Sequence, residues 1–142
     1  MNNLSAFLAK NVKPVGTVKY VATERITDEN GNPVEWELRC VDSETDESIR
    51  TQCMKKVPIP GKKNQYTQEL DSNLYLRKTA VACILYPDLY NAELQDSYGV
   101  KDPEKLLLKI LSKAGEYHAL IAKINELNGQ DTIDDLVDEA KN

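Results

Sequence analysis

The side chains best suited to chemistry are one histidine, His118, and three cysteines, Cys40, Cys53 and Cys83. A cysteine nucleophile needs a nearby base, and a structural zinc ion needs four ligands, which proteins commonly supply in closely spaced pairs. The three cysteines lie far apart without a C-x-x-C pair, and no serine stands in a G-x-S-x-G motif. The sequence therefore predicts a protein that is not an enzyme and that has no metal site and no cofactor.

A second kind of chemistry to weigh is the recognition of nucleic acid. Residues 92–106 have the pattern of a helix-turn-helix, with Gly99 in the turn and a second helix that begins near Pro103. That second helix has no Arg, Asn or Gln to recognise base edges. Its basic residues are Lys101, Lys105, Lys109 and Lys113. The helix pattern fits a small helix-turn-helix DNA-binding regulator, but the residues for base recognition are missing. This function is therefore kept only as the alternative.

Composition and charge restrict the partners that this chain can have. The chain has 142 residues, 41% of them hydrophobic, and a formal net charge of −5. This length suffices for one domain over residues 1–142, and an acidic chain has no long-range attraction for phosphate backbones or anionic lipids. No apolar run reaches the roughly 18 residues of a membrane span, and the first ten residues do not fit a secretory signal. We expect a cytoplasmic protein with no nucleic-acid or membrane partner.

The segment best suited to organise a core is residues 80–86, which carries no charge. A helix without a solvated face is expected to lie inside a domain. Asp71 or Ser72 can cap the start of this helix, and Pro87 disfavours helical structure at Tyr86. The pattern predicts a central helix from about Ser72 to Tyr86.

Residues 17–41 predict an antiparallel hairpin. Apolar and polar residues alternate on both sides of a turn in which Asn30-Gly31 tolerates positive φ. The apolar face consists of Val18, Tyr20, Ala22, Val34, Trp36, Leu38 and Cys40. Before the hairpin, Leu4, Phe7 and Leu8 recur at helical spacing, which predicts a short amphipathic helix or a loose arm over residues 1–16.

Residues 42–142 are predicted to be mainly helical. Ser43 and Asp46 fit a capping box for a surface helix of about Glu44 to Lys55. The stretch from Val57 to Glu69 has neither helical nor strand periodicity and predicts a long loop, which in a folded domain is commonly mobile or functional. The main basic cluster, at Lys55, Lys56, Lys62 and Lys63, is interpreted as solvated surface, with contact to an acidic partner as the alternative.

Further short helices are predicted in the C-terminal part. Segment 88–98 fits a short helix that Gly99 ends, and the next helix has Asp102 as its N-cap, Pro103 at its first position and Gly115 at its end. A following helix continues to Gly129. Its apolar residues are Tyr117, Leu120, Ile121, Ile124 and Leu127.

A final helix is predicted from Thr132 to Ala140, and its apolar stripe is the candidate partner-binding site. The stripe consists of Ile133, Leu136, Val137 and Ala140. It either packs on the core or contacts a partner. Together the patterns predict an α+β fold, in which a small antiparallel β-hairpin packs on a bundle of short α-helices.

Several segments of this sequence resemble one known family. They are FLAKN at 7–11, DENGNPVEWELR at 28–39, VPIPGKKNQYTQELDSNLYL at 57–76, YPDLYNAELQDSYGV at 86–100 and AGEYHALIAKINELNG at 114–129. In this order, and over almost the whole chain, the sequence is similar to the XkdN-like tail assembly chaperones, which phages and PBSX-like defective prophages of Gram-positive bacteria encode.

The resemblance implies a role without catalysis in the cytoplasm of the host bacterium. Such chaperones bind the long tape-measure protein of the phage tail, prevent its aggregation and help tail-tube subunits assemble around it. The tape-measure protein is thus the expected partner, with the tail-tube protein and further copies of the chain as additional candidates. A small domain with apolar-striped helices is compatible with helix-in-groove contacts to such a client.

The resemblance also implies a longer second product. Many tail assembly chaperones are made in a short form and in a form that a programmed −1 ribosomal frameshift extends. Residues 140–142, Ala-Lys-Asn, can be encoded as GCA AAA AAC, which contains the slippery heptamer A AAA AAC. We expect a minor extended product, and the codons at this position test that expectation.

Overall fold

The computed structural model describes residues 3–129. Its helices and strands are, in chain order, β1 (Thr17–Tyr20), β2 (Trp36–Arg39), α1 (Ser43–Gln52), β3 (Met54–Pro58), β4 (Tyr66–Leu70), α2 (Ser72–Cys83), β5 (Ile84–Tyr86), α3 (Ala92–Ser97), α4 (Pro103–Ile110) and α5 (Ala114–Leu127). Two antiparallel sheets combine with a helical C-terminal half, which confirms the predicted α+β class.

The predicted hairpin is confirmed as strands β1 and β2. They pair antiparallel from Thr17 opposite Arg39 to Tyr20 opposite Trp36. On β2, Trp36 and Leu38 are almost completely buried, as the alternation predicts. Trp36 therefore belongs to the core that the sheet shares with the helices.

The central helix is shorter than predicted, because its last three residues form a strand. Helix α2 ends at Cys83, and residues 84–86 form β5, which pairs antiparallel with β2 and completes a sheet of order β1-β2-β5. An uncharged run suits a buried strand as well as a buried helix, so periodicity could not separate the two. The helix start is as predicted, since the Asp71 carboxylate accepts a hydrogen bond from the Leu74 N–H at 3.2 Å.

The core lies where helix α2 packs on α4 and α5, and where α5 packs on β2. Its fully buried side chains include Leu38, Ala80, Leu106, Leu107 and Leu120. Beyond α5, the Asn128 side chain accepts a hydrogen bond from the Val41 N–H at 2.9 Å and so ties the end of this helix to the end of β2.

Two predicted helices have boundaries that the structure corrects. Helix α1 has Asp42 as its N-cap instead of Ser43, since the Asp42 carboxylate accepts from the Thr45 N–H at 2.7 Å, and the helix ends at Gln52 where the chain turns into β3. Helix α4 begins at its predicted cap and proline but ends at Ile110. Gly115 lies in the first turn of α5 and stops no helix.

The end of α4 has a physical explanation in a contact from another segment. The Arg25 guanidinium donates a hydrogen bond to the Ile110 carbonyl at 3.3 Å. Carbonyls in the last turn of a helix have no partner within the helix, so this bond stabilises a helix end at that position. Sequence periodicity carries no information about such a long-range partner.

The N-terminal segment forms two 3₁₀ turns, Asn3–Phe7 and Ala9–Asn11, in place of the predicted amphipathic helix. Neither turn contains a buried residue. A short helix in water needs a packed apolar face to be stable, and this segment packs no such face on the described body. We call residues 3–16 the N-terminal arm.

The long loop predicted from Val57 to Glu69 is a second hairpin. Strands β3 and β4 pair antiparallel from Met54 opposite Leu70 to Pro58 opposite Tyr66. The turn contains Gly61 and Asn64 with φ of 76° and 60°. Both faces of the hairpin are mostly exposed, so its strands need no apolar alternation, which is why periodicity missed them.

Candidate functional site

Of the residues singled out for chemistry, Cys53 and Cys83 are buried and His118 is exposed. His118 lies exposed on α5, with its ring tilted against Tyr117 at 5.8 Å between centroids. Burial raises the pKa of the Cys53 and Cys83 thiols and disfavours the reactive thiolate. Within residues 3–129 no group of three His, Cys, Asp or Glu side chains could hold a metal ion. None of the helices in that range has the length and apolar character to cross a membrane.

The segment considered for DNA recognition is built around a buried helix face. Helix α3 has only six residues, and the Leu106, Leu107 and Ile110 side chains of α4 lie in the core. The amino end of α4, which would approach a phosphate backbone, carries Asp102 and Glu104. Carboxylates at this position oppose contact with DNA.

The surface feature best shaped for binding is an apolar notch of about 230 Å³ beside the end of the three-stranded sheet. It is lined by Ile26, Val34, Trp36, Tyr86, Pro87, Leu94, Tyr98 and Ile110. Tyr86 is 54% exposed and Tyr98 is 38% exposed, so both can lose contact with water when a ligand binds. We call this feature the notch.

The first wall of the notch is formed by residues 24–35, which belong to the connection between β1 and β2. The Val34 N–H donates to the Ile26 carbonyl at 3.0 Å, which aligns these two apolar residues. The turn is closed by Asp28, whose carboxylate accepts from the N–H groups of Asn30 and Asn32 at 2.8 and 3.0 Å. Local hydrogen bonds therefore preorganise this wall.

The second wall is the segment 86–98, which includes α3. Leu89 is buried and anchors the segment, and the Gln95 side chain donates to the Leu89 carbonyl at 2.9 Å. Asn91 caps α3 by accepting from the Leu94 N–H at 2.9 Å. Leu94 and Tyr98 are four residues apart and both line the notch.

Both walls carry an excess of negative charge. Their carboxylates belong to Glu24, Asp28, Glu29 and Glu35 on the first wall and to Asp88, Glu93 and Asp96 on the second. The one basic residue in these two segments, Arg25, lies 3.3 Å from the Glu116 carboxylate. Hydrogen bonds from Thr23 and then Arg25 hold the pKa of Glu116 below its usual value, so Arg25 already has an ionised partner. None of these carboxylates lines the notch itself, so the notch is apolar and the segments that form its walls are acidic. This combination suits a basic amphipathic segment.

The N-terminal arm is a second exposed apolar feature. Phe7 is 78% exposed and Val15 is 75% exposed, and Leu8 and Val12 are also exposed. The arm contains Lys10 and Lys13 and no carboxylate side chain. It is thus both apolar and basic, in contrast to the walls of the notch.

The β3–β4 hairpin is a third exposed surface, and it is basic. Its sequence holds four lysines and one acidic residue, Glu69, whose carboxylate lies 4.0 Å from the Lys55 ammonium. Met54 and Tyr66 are its exposed apolar side chains. The lysines predicted to lie on a solvated surface are exposed, and the structure places them on strands and a tight turn.

The predicted partner-binding residues Ile133, Leu136, Val137 and Ala140 lie outside the described residues, so their role stays a prediction. Sequence reasoning assigned no binding role to the notch. The available signal was the acidic excess of residues 24–35 and 86–98 around apolar positions. That signal becomes specific only when the fold brings the two segments together.

The notch, the arm and the hairpin are surfaces suited to contact with another polypeptide. The chain belongs to the phage XkdN-like tail assembly chaperone family, whose model matches residues 4–141. The chain is 27% identical to the phage-like element PBSX protein XkdN of Bacillus subtilis (strain 168) over 141 residues, which cover 99% of this chain and 94% of that protein. It is 28% identical to the uncharacterized protein YqbN of the same organism, with coverage of 99% and 93%.

A solved structure supports the fold. The crystal structure of the protein YqbN superimposes with a TM-score of 0.77 at 24% identity and covers 92% of this chain and 99% of that chain. The resemblance to the tail assembly chaperones, which rested on segments such as DENGNPVEWELR, is confirmed by the family match.

Proposed function

We propose that this protein binds the tape-measure protein of a phage tail in the cytoplasm of the host bacterium, keeps it soluble, and assists assembly of the tail tube. Membership of a tail assembly chaperone family supports a role in assembly without catalysis. The single observation that carries the proposal is the notch, with its apolar floor and its carboxylate-bearing walls.

The mode of binding follows from the shape and charge of the notch. A volume of about 230 Å³ accommodates one or two apolar side chains of a client helix. Leu94 and Tyr98 form a ridge beside these side chains, while basic residues on the flanks of the client helix meet the carboxylates of the walls. Burial of the exposed rings of Tyr86 and Tyr98 adds apolar contact area.

The segment 132–140 is a proposed additional contact. Leu136→Asp separates the two roles predicted for this segment. Loss of client binding at an unchanged melting temperature supports contact with the client. A melting temperature lowered by several degrees assigns Leu136 to the folded core instead.

The test of the proposal is co-expression of this protein with fragments of the tape-measure protein encoded by the same phage or prophage. We expect the fragment to become soluble and to copurify. The double variant Tyr86→Ala/Tyr98→Ala should lose most of the captured fragment. Tyr90→Ala is the matched control, because Tyr90 is 70% exposed but lines a different groove, with Lys78 and Glu104.

Two results would contradict the proposal. If the fragment stays insoluble and the protein instead shifts duplex DNA at physiological salt, the helix-turn-helix alternative is correct. If the double variant and Tyr90→Ala capture the fragment equally well, the client contacts a surface other than the notch. Thermal melting of each variant verifies that the fold is intact.

A further inference from the structure

We propose that the N-terminal arm of one copy binds the notch of a second copy, so that the chaperone without a client self-associates by exchange of arms. The inference rests on the notch that the proposed function also uses, but it concerns a different occupant. The arm and the notch are both apolar, and the charges around them are opposite.

The arm carries four apolar side chains that the fold leaves exposed. Phe7, Leu8, Val12 and Val15 are between 48% and 78% exposed. Single exposed apolar side chains are common, but four of them within one short segment are a candidate interaction surface. The notch offers an apolar floor formed by Ile26, Trp36 and Leu94, among other residues.

The arm and the walls of the notch carry opposite charge. The arm has two lysines, Lys10 and Lys13, and no carboxylate side chain, although the net charge of the whole chain is −5. The two walls of the notch carry seven carboxylates and one arginine, which is paired with Glu116. Complementary charge of this kind favours the pairing of arm and notch over the pairing of two notches.

The occupant is a second copy because of where the arm leaves the sheet. The arm joins β1 at Thr17, opposite Arg39, whereas the notch lies at the other end of this strand pair, where Tyr20 is opposite Trp36. An arm that entered the notch of its own chain would have to reverse direction and run back along the edge strand β1. Reciprocal exchange between two copies makes two equal contacts and closes into a symmetric dimer.

Sedimentation velocity of the full chain over a wide concentration range tests this inference. We expect a monomer–dimer equilibrium. The arm variant Phe7→Ser/Leu8→Ser should raise the dimer dissociation constant about tenfold or more, as expected from the loss of one buried aromatic anchor. The notch variant Tyr86→Ala/Tyr98→Ala should do the same. Met54→Ser/Tyr66→Ser, which removes exposed apolar side chains from the β3–β4 hairpin, is the matched control and should dimerise like the parent.

A mixture of the two variants adds a stricter test. One copy with an intact arm and one with an intact notch can form a single contact, so the mixture should contain more dimer than either variant alone. A monomeric full chain at every concentration would overturn the inference, as would an arm variant that dimerises normally or a mixture with no added dimer. No client is present in this experiment. A negative result therefore contradicts self-association but does not contradict binding of the tape-measure protein.

Discussion

The three-stranded sheet and the β3–β4 hairpin are both antiparallel, yet different interactions hold them. In the sheet, β2 lies between two strands and buries Trp36 and Leu38 in the helical core. In the hairpin, Val57 and Leu70 are half-buried and the other strand residues are exposed. A two-stranded hairpin is marginally stable alone in water, so its residues contribute little to the fold.

This difference indicates where the chain can carry residues for partners. Substitutions in the sheet disturb the core, whereas exposed residues of the hairpin and the arm can change without loss of the fold. The notch contains residues of both kinds. Trp36 at its floor belongs to the core, and Tyr86 and Tyr98 at its rim are exposed. Binding is thus expected to depend on rim residues that a stable core positions.

The largest expected difference between the two regions is in their contribution to global stability. Leu38→Ala removes a fully buried side chain and should lower the free energy of unfolding by about 3 kcal/mol, or the melting temperature by about 10 °C. Val57→Ala in the hairpin should cost less than about 1 kcal/mol. Urea denaturation followed by circular dichroism measures both. Equal losses would mean that the hairpin belongs to the same cooperative unit as the sheet.

A smaller, pH-dependent effect is expected at the contact between α1 and α2, next to the hairpin. Burial opposes ionisation of Asp46, but hydrogen bonds from the Tyr75 hydroxyl and from the Arg50 Nε at 3.0 Å outweigh it and lower the Asp46 pKa. A carboxylate with a lowered pKa in the folded state stabilises the protein at neutral pH, and this contribution is lost as the pH falls through that pKa.

The corresponding measurement compares Asp46→Asn with the parent by urea denaturation at several pH values. The stability difference should be present at neutral pH and should narrow below pH 3.8, the ordinary pKa of an aspartate. Tyr75→Phe removes the hydroxyl donor and keeps the ring under Arg50. Its stability difference from the parent should be smaller than that of Asp46→Asn and should narrow over the same pH range. A stability difference that is constant over the whole pH range would show that the pKa of Asp46 is the same in the folded and unfolded states.

The smallest expected effect comes from shortening the hairpin. Lys55 and Glu69 face each other in its register, so an Asn-Gly turn can replace residues 56–68. The melting temperature should change by no more than about 2 °C, because the deleted residues are exposed except for Val57 and Ile59, which are half-buried. A decrease comparable to that of Leu38→Ala would contradict the proposed division between core and projecting hairpin.

The parts of the fold that could be predicted are those that local patterns specify. The alternation at Trp36 and Leu38 predicted a half-buried strand, and Asp102 followed by Pro103 predicted the start of α4. Both signals lie within a few residues of the structure they determine. The apolar spacing from Tyr117 to Leu127 likewise predicted most of α5.

The missed parts depend on partners distant in sequence. Residues 84–86 become a strand because β2 has a free edge to pair with, and α4 ends where Arg25 reaches the Ile110 carbonyl. The notch is the strongest example, since Ile26, Trp36, Leu94 and Ile110 come from four separate segments. A sequence pattern can indicate that each of these residues is apolar, but the concave shape exists only after the segments pack.

The backbone contact at the base of the β3–β4 hairpin makes this hairpin a convenient place to modify the protein. The Asp71 N–H donates to the Cys53 carbonyl at 2.8 Å, so the chain leaves and rejoins the helical body at one point. A foreign peptide spliced into the exposed turn at Gly61 therefore adds length without separating α1 from α2. An epitope or a small fluorescent reporter at this turn would allow the chaperone to be followed during virion assembly.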